Sequence, residues 1–242
     1  ITQSGSSNLG PVITDLSQYP AVPTASEQVT LKARVLDADG IGTVTLKYAL
    51  NNPSATPTSI GMSRIGLTDF FQATIPAQAQ ATRVVFFITA TDGGGRTGRY
   101  PIDITLRTHP LLINPPAATL NDHRYCVYRH DVKNPATNYL NYRFYTTQAK
   151  EDELSSRRLL SNDPIDGSFV FGGSTIYYES QARFSGSPWA RAGWGGSFKV
   201  RMPRDNPLHG RTRKFGLEDN QGNPIDARTR VTHYLLRQNQ GA

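Results

Sequence analysis

Two aspartates stand two residues apart in the stretch Asp37-Ala38-Asp39-Gly40, and they are the first residues whose type and spacing suit a metal ion such as calcium. A hard cation of that kind takes six to eight oxygen ligands, so one loop with two carboxylates supplies too few. Asp69 and Asp92 add ligands only if the fold brings them alongside. The local reading is a turn between strands, in which Gly supplies a positive φ and Asp bonds its own backbone. His123, His130, His209 and His233 are scattered, with no pair at helical or strand spacing to hold a metal. Cys126 is the one cysteine, which excludes an internal disulfide and a Cys–His zinc cluster. It lies in the alternating run Tyr125-Cys126-Val127-Tyr128 and reads as a buried strand thiol. His130 with Asp122, Asp131 and a serine would fill the roles of a catalytic triad, but a chain of 242 residues offers such sets by chance. Tyr125, Tyr128, Tyr139, Tyr142 and Tyr145 are interleaved with Arg124, Arg129 and Arg143. Such a cluster can stack bases or sugars, and reads more simply as the alternating faces of one or two strands. The loop Ser185-Gly186-Ser187-Pro188 lacks the Gly-Lys-Ser/Thr ending of a phosphate-cradling P-loop.

The charge balance narrows the partners. Lys and Arg number 26 against 19 Asp and Glu, a net charge of +7, and the basic residues gather mainly after Arg183. A generally basic surface accounts for that, and a nucleic-acid partner is not expected. No run of about 18 apolar residues is present, so no membrane-spanning segment is expected. The chain starts in a Ser/Gly-rich linker, residues 1–10, without a signal peptide, and finishes at Gln-Gly-Ala after an expected helix. Both ends read as cuts through a longer protein.

The elements that must position these residues are mostly strands. Hydrophobic residues make up 37% and charged residues 19%, enough apolar content for packed cores, and 21 Gly with 16 Pro suit a turn-rich β protein. Val29 to Val35, Thr43 to Leu50, Phe70 to Ile75, Thr82 to Ala90 and Arg99 to Leu106 read as strands at roughly ten-residue spacing, with Gly/Asp turns at Asp37–Gly40 and Asp92–Gly95. That spacing predicts a β-sandwich over residues 11–107. Residues 108–137 contain His109-Pro110 and Pro115-Pro116 and read as a Pro-rich connection leading into the next domain. From 138 to 242 the pattern becomes α+β. Tyr139 to Tyr145 is a strand, Thr146 or Thr147 caps a helix to about Leu160, and a hairpin turns at Gly172-Gly173. Ser174 to Phe184, Ser197 to Met202 and Arg213 to Leu217 are strands, and Asp226 caps a final helix.

The first half, with Asp37-Ala-Asp39-Gly40-Ile41, Phe71-Gln-Ala-Thr-Ile-Pro76 and Phe87-Ile-Thr-Ala-Thr-Asp92-Gly93, resembles the bacterial immunoglobulin-like or fibronectin-III-like modules of secreted proteins. The second half, with "YRFYTTQAKEDEL", "STIYYESQARFSGSPW", "GSFKVRMPRD", "RKFGLEDNQGNP" and "DARTRVTHYLLRQ", resembles the start of a spore-coat-protein-H-like (CotH) kinase domain over roughly its last hundred residues. Trp189 to Gly196 departs from that pattern as a Gly/Trp/Arg insertion.

The resemblance implies a kinase N-lobe-like fold whose catalytic and magnesium-binding carboxylates lie beyond this chain, so no catalytic residue is expected within it. Phosphoryl transfer needs cations on the phosphates, a metal held by carboxylates and a positioned acceptor, and only the first need can be met here. Lys199, mid-strand between Phe198 and Val200, stands where a kinase-like N-lobe puts its phosphate contact, and Arg183 is the second candidate. No cofactor is expected in this chain alone; a complete parent domain would take ATP and magnesium. The expectation is therefore a mainly β segment of a secreted or cell-surface modular protein, a spacer followed by an incomplete kinase or pseudokinase domain and inert as it stands. The alternative is a non-enzymatic assembly module. Its partners would be other modules of the same chain or other copies of itself.

Overall fold

The computed structural model describes residues 9–102, 104–105, 121–122, 124–133, 141–156, 161–186 and 197–217. The described chain is mainly β, in several antiparallel sheets. The strands are Val12–Tyr19 (β1), Val29–Leu36 (β2), Ile41–Leu50 (β3), Thr58–Gly61 (β4), Ser63–Arg64 (β5), Phe70–Ile75 (β6), Arg83–Asp92 (β7), Thr97–Tyr100 (β8), Ile104–Thr105 (β9), Asn121–Asp122 (β10) and Cys126–Arg129 (β11). There follow Tyr142–Tyr145 (β12), the helix Gln148–Ser156 (α1), Ile165–Phe171 (β13), Thr175–Phe184 (β14), Phe198–Arg201 (β15) and Lys214–Leu217 (β16).

Sheet one runs β1-β2-β6-β5, and sheet two runs β11-β7-β3-β4 with β8 also on β7. Period-two burial builds the core between them. Val29, Leu31, Ala33 and Val35 of β2 are buried with Val84, Phe86, Ile88 and Ala90 of β7, while Thr30, Lys32 and Arg34 point away. Beside β1 the backbones come so close that a Cβ on Gly98 would sit 1.8 Å from the Pro11 carbonyl oxygen. Only glycine fits there without moving backbone.

The edge of sheet two beside β7 is shared by two strands. Tyr100 of β8 opposes Ile88 on β7, and Cys126 of β11 opposes Phe86, so β11 takes up the pairing along β7 close to where β8 ends. Arg99 to Leu106 is therefore not one strand: β8 ends at Tyr100, and Pro101, with no N–H, cannot continue the ladder. Part of the expected connection, residues 126–129, completes the sheet instead. Arg99 ties the end of β8 to the start of β11. Its guanidinium donates to the Pro101 and Arg124 carbonyls at 2.6 and 2.9 Å and lies over the Phe87 and Tyr125 rings. Residues 106–120 lie outside the described residues.

Sheet three is a meander, β12-β13-β14-β15-β16, with α1 between its first two strands. Thr147 caps α1 as its position predicts, accepting the Lys150 N–H on Oγ1 at 3.3 Å. Arg157 to Leu160, the helix end expected from sequence, and Asp226 with the final helix lie outside the described residues. One face of sheet three packs across the edges offered by β1 and β11. Tyr145, Val170, Ile176 and Tyr178 join the core of sheets one and two, and the Tyr178 ring meets Phe86 edge-on at 5.4 Å. Its hydroxyl donates to Gln18 on β1, and the Val127 N–H donates to Ser168 on β13. On the other face Phe169, Tyr177, Val200, Met202 and Leu208 form a second apolar cluster. Burial on both faces explains why Ser168 to Phe171 and Ile176 to Tyr178 read as continuous apolar or neutral runs.

Candidate anion-binding site

The cations expected from sequence meet on the last three strands of sheet three. Lys199 is the direct cross-strand partner of Arg183. Two residues further along β15, Arg201 lies opposite Gln181 on one side and Lys214 on the other. Val200, between Lys199 and Arg201, is buried in the apolar cluster on the opposite face, and Phe215 beside Lys214 packs against the same cluster. Strand alternation therefore anchors one face in the core and turns all four cations to the other.

That face carries a cleft of about 380 Å³, lined by the four cations with Asn162, Pro164, Gln181, Val200, Phe215 and Gly216. No lining residue is acidic, and none of the four cations makes a salt bridge to a described acid. Arg183 is held at the rim, donating to the Asn162 side chain and, at 3.2 Å, to the Phe184 carbonyl. Arg201 donates to the Gln181 side-chain amide oxygen Oε1 at 3.4 Å. Asp166 and Glu179, near Gln181, are engaged with Arg124. Asp166 accepts from Gln181 at 2.8 Å and from Arg124 at 2.6 Å, and Arg124 also reaches Glu179 at 3.3 Å. Burial pushes the Glu179 carboxyl above its ordinary range, against the opposing pull of the Arg124 guanidinium. A concave, cation-lined surface of this kind can hold an anionic group by charge-assisted hydrogen bonds.

The aspartate turn is sited as expected between β2 and β3, and Asp39 N–H donates to Asp37 Oδ1 at 2.8 Å. The fold adds Asp92 from the end of β7, bringing one carboxylate oxygen of each of the three within 4.8 Å of the others. Asp92 Oδ1 already accepts the Arg96 N–H at 2.8 Å, closing the turn before β8. Asp69 is placed elsewhere, 3.9 Å from Arg34 and 3.6 Å from Arg64. Two of the three turn aspartates thus use a carboxylate oxygen to fix local backbone.

The other candidates separate. Cys126 and His130 are both fully buried, and His130 Nδ1 pairs with the Thr24 carbonyl at 2.8 Å. Arg143 pairs with Asp131 at 2.8 Å and Arg124 with Asp166, so the tyrosine–arginine cluster is taken up in joining sheet three to sheet two. The sequence reading missed Arg201 and Lys214 as neighbours of Lys199. Alternation in Phe198-Lys199-Val200-Arg201 was a signal for Arg201, but Lys214 enters only through the β15–β16 register.

No family model matches the chain, and no curated protein matches it. Among solved structures it is similar to the cycloalternan-degrading enzyme from Trueperella pyogenes, with 12% identity and a TM-score of 0.28, over 70% of this chain and 18% of that one.

Proposed function

We propose that the chain is a segment of a secreted modular protein in which an immunoglobulin-like sandwich supports the front part of a CotH-like kinase or pseudokinase domain. Lys199 and Arg183 contact the phosphates of a nucleotide. The observation that carries this reading is the cross-strand pair Arg183–Lys199 in a solvent-open cleft free of carboxylates. The five-stranded meander with a helix after its first strand supports the N-lobe part of it. Catalytic carboxylates and the magnesium they hold belong to the remainder of the domain, and the segment alone is inert.

The test is thermal unfolding of the whole natural protein with ATP and magnesium. Ligand at 100 times its dissociation constant adds about 2.7 kcal/mol, which raises the Tm of the domain that binds it by several degrees. Lys199→Met removes the rise. No rise, together with no transfer of label from γ-labelled ATP to protein, overturns the kinase reading. The alternative, a structural module that pairs its sheet edges with other copies, draws on β4 and β16, which end their sheets among the described residues. Concentration-dependent assembly in sedimentation with no nucleotide effect selects it.

A further inference from the structure

We infer that Arg201 and Lys214 form a second anion subsite next to Arg183 and Lys199, so that the cleft takes a ligand with phosphate groups in series, a linear phosphoanhydride, and takes it without a metal ion. The inference rests on the phosphate-binding reading of the cleft, and it extends that reading to residues and a ligand class of its own.

Three observations carry it. The first is the pairing itself. Arg183 faces Lys199, and Arg201 faces Lys214, directly across neighbouring strands. Like charges in that position repel and weaken a sheet by up to about 1 kcal/mol per pair. A surface selected only for stability would place an acid in one position of each pair. Two like pairs in succession are what a multiply charged anion neutralises.

The second is spacing. Lys199 and Arg201 are two residues apart on one strand and on one face, ~6.6 Å at ~3.3 Å per residue, and their partners lie on opposite sides of that strand ~4.8 Å away, which sets the midpoints of the two pairs ~8 Å apart. One phosphate would need all four side chains to converge on it, whereas phosphate groups in series meet the two pairs side by side.

The third is the lining. It holds four cations and no carboxylate, so the described lining offers a divalent metal no anionic ligand. Protein cations must do the neutralising, and magnesium in solution competes with them for the same oxygens.

Calorimetric titration of the protein at low ionic strength, in EDTA, with inorganic phosphate, pyrophosphate and tripolyphosphate tests the proposal. Tripolyphosphate binds at least tenfold more tightly than phosphate, and replacing EDTA with excess magnesium weakens it. Arg201→Gln and Lys214→Met each weaken tripolyphosphate about tenfold and leave phosphate within twofold. Both side chains are exposed, so these variants fold, and relief of repulsion leaves the ligand-free Tm unchanged or higher. Equal affinity for phosphate and tripolyphosphate, indifference to Arg201→Gln and Lys214→Met, or tighter binding with magnesium overturns the second subsite. ATP added as a further arm separates the two proposals. Tripolyphosphate binding with no response of the whole protein to ATP and magnesium removes the kinase reading and leaves the subsite standing. No binding of any of these anions removes both.

Discussion

At the scale of single residues, burial decides which reactive groups are available. Cys126 is fully buried, and burial, reinforced by the nearby Glu179 charge, holds its thiol well above its ordinary pKa. The thiolate is the reactive form, so the group is doubly protected. Native protein at pH 8 is therefore expected to leave a disulfide reagent such as DTNB unreacted over minutes in which guanidinium-unfolded protein consumes one equivalent. Fast reaction of native protein would mean that β11 readily leaves β7. The cleft cations are the opposite case. Arg183 is half-buried and held by Asn162, while Lys199, Arg201 and Lys214 are exposed, so the charges chemistry needs face water and the thiol does not.

At the scale of elements, an edge shared by two strands links the sheets. Because β8 and β11 share the edge of β7, the start of β11 brings Arg124 against sheet three, where it pairs with Asp166 and Glu179. Arg124 and Asp166 side chains are 15% and 25% exposed, too buried for solvent to screen the pair fully. Urea unfolding of Arg124→Gln, Asp166→Asn and the double variant should give a coupling energy of about 1–2 kcal/mol, because either single change leaves the other partner half-buried and unpaired. Additive single changes would mean that the apolar contacts alone hold the elements together. A second tie, from Arg83 on β7 to Gln148 and Glu151 on α1, runs in parallel.

For the whole molecule, the continuity of the core sets the expected unfolding behaviour. Val29, Leu31 and Phe86 belong to one apolar cluster with Tyr145, Val170, Ile176 and Tyr178 of sheet three. Units with separate cores melt separately, and units that share one melt together. Calorimetry is expected to show a single transition, with near- and far-ultraviolet dichroism changing at the same temperature. Two resolved transitions would show that sheet three keeps its structure without sheets one and two. A rigid mount also suits the cleft, because β14 both carries Arg183 and inserts Tyr178 beside Gln18 of β1.

Much of this was legible in the residues themselves. Alternation marked β2, β3 and β15, since a strand with one buried face repeats every second residue whatever it packs against, and strand-forming runs between turns marked β6, β7, β14 and β16. The Gly172-Gly173 hairpin, the Asp37 turn and the Thr147 cap are local interactions, complete within a few residues. β1 was missed because only Ile13 and Gln18 of its eight residues are buried, so its pattern carries almost no apolar signal. The union of Asp92 with Asp37 and Asp39, the pairing of β11 with β7 and the pairing of Arg201 with Lys214 were beyond sequence reading for one reason. Each depends on the register between strands apart in the chain, and that register is set by which faces must be buried against which. The sequence by itself determined the mainly β character, the hairpins and the two cations turned to solvent. Only the tertiary structure decided that sheet three closes the edges of the other two, and that two cations are four, because pairing and burial between distant segments are collective properties of the packed chain.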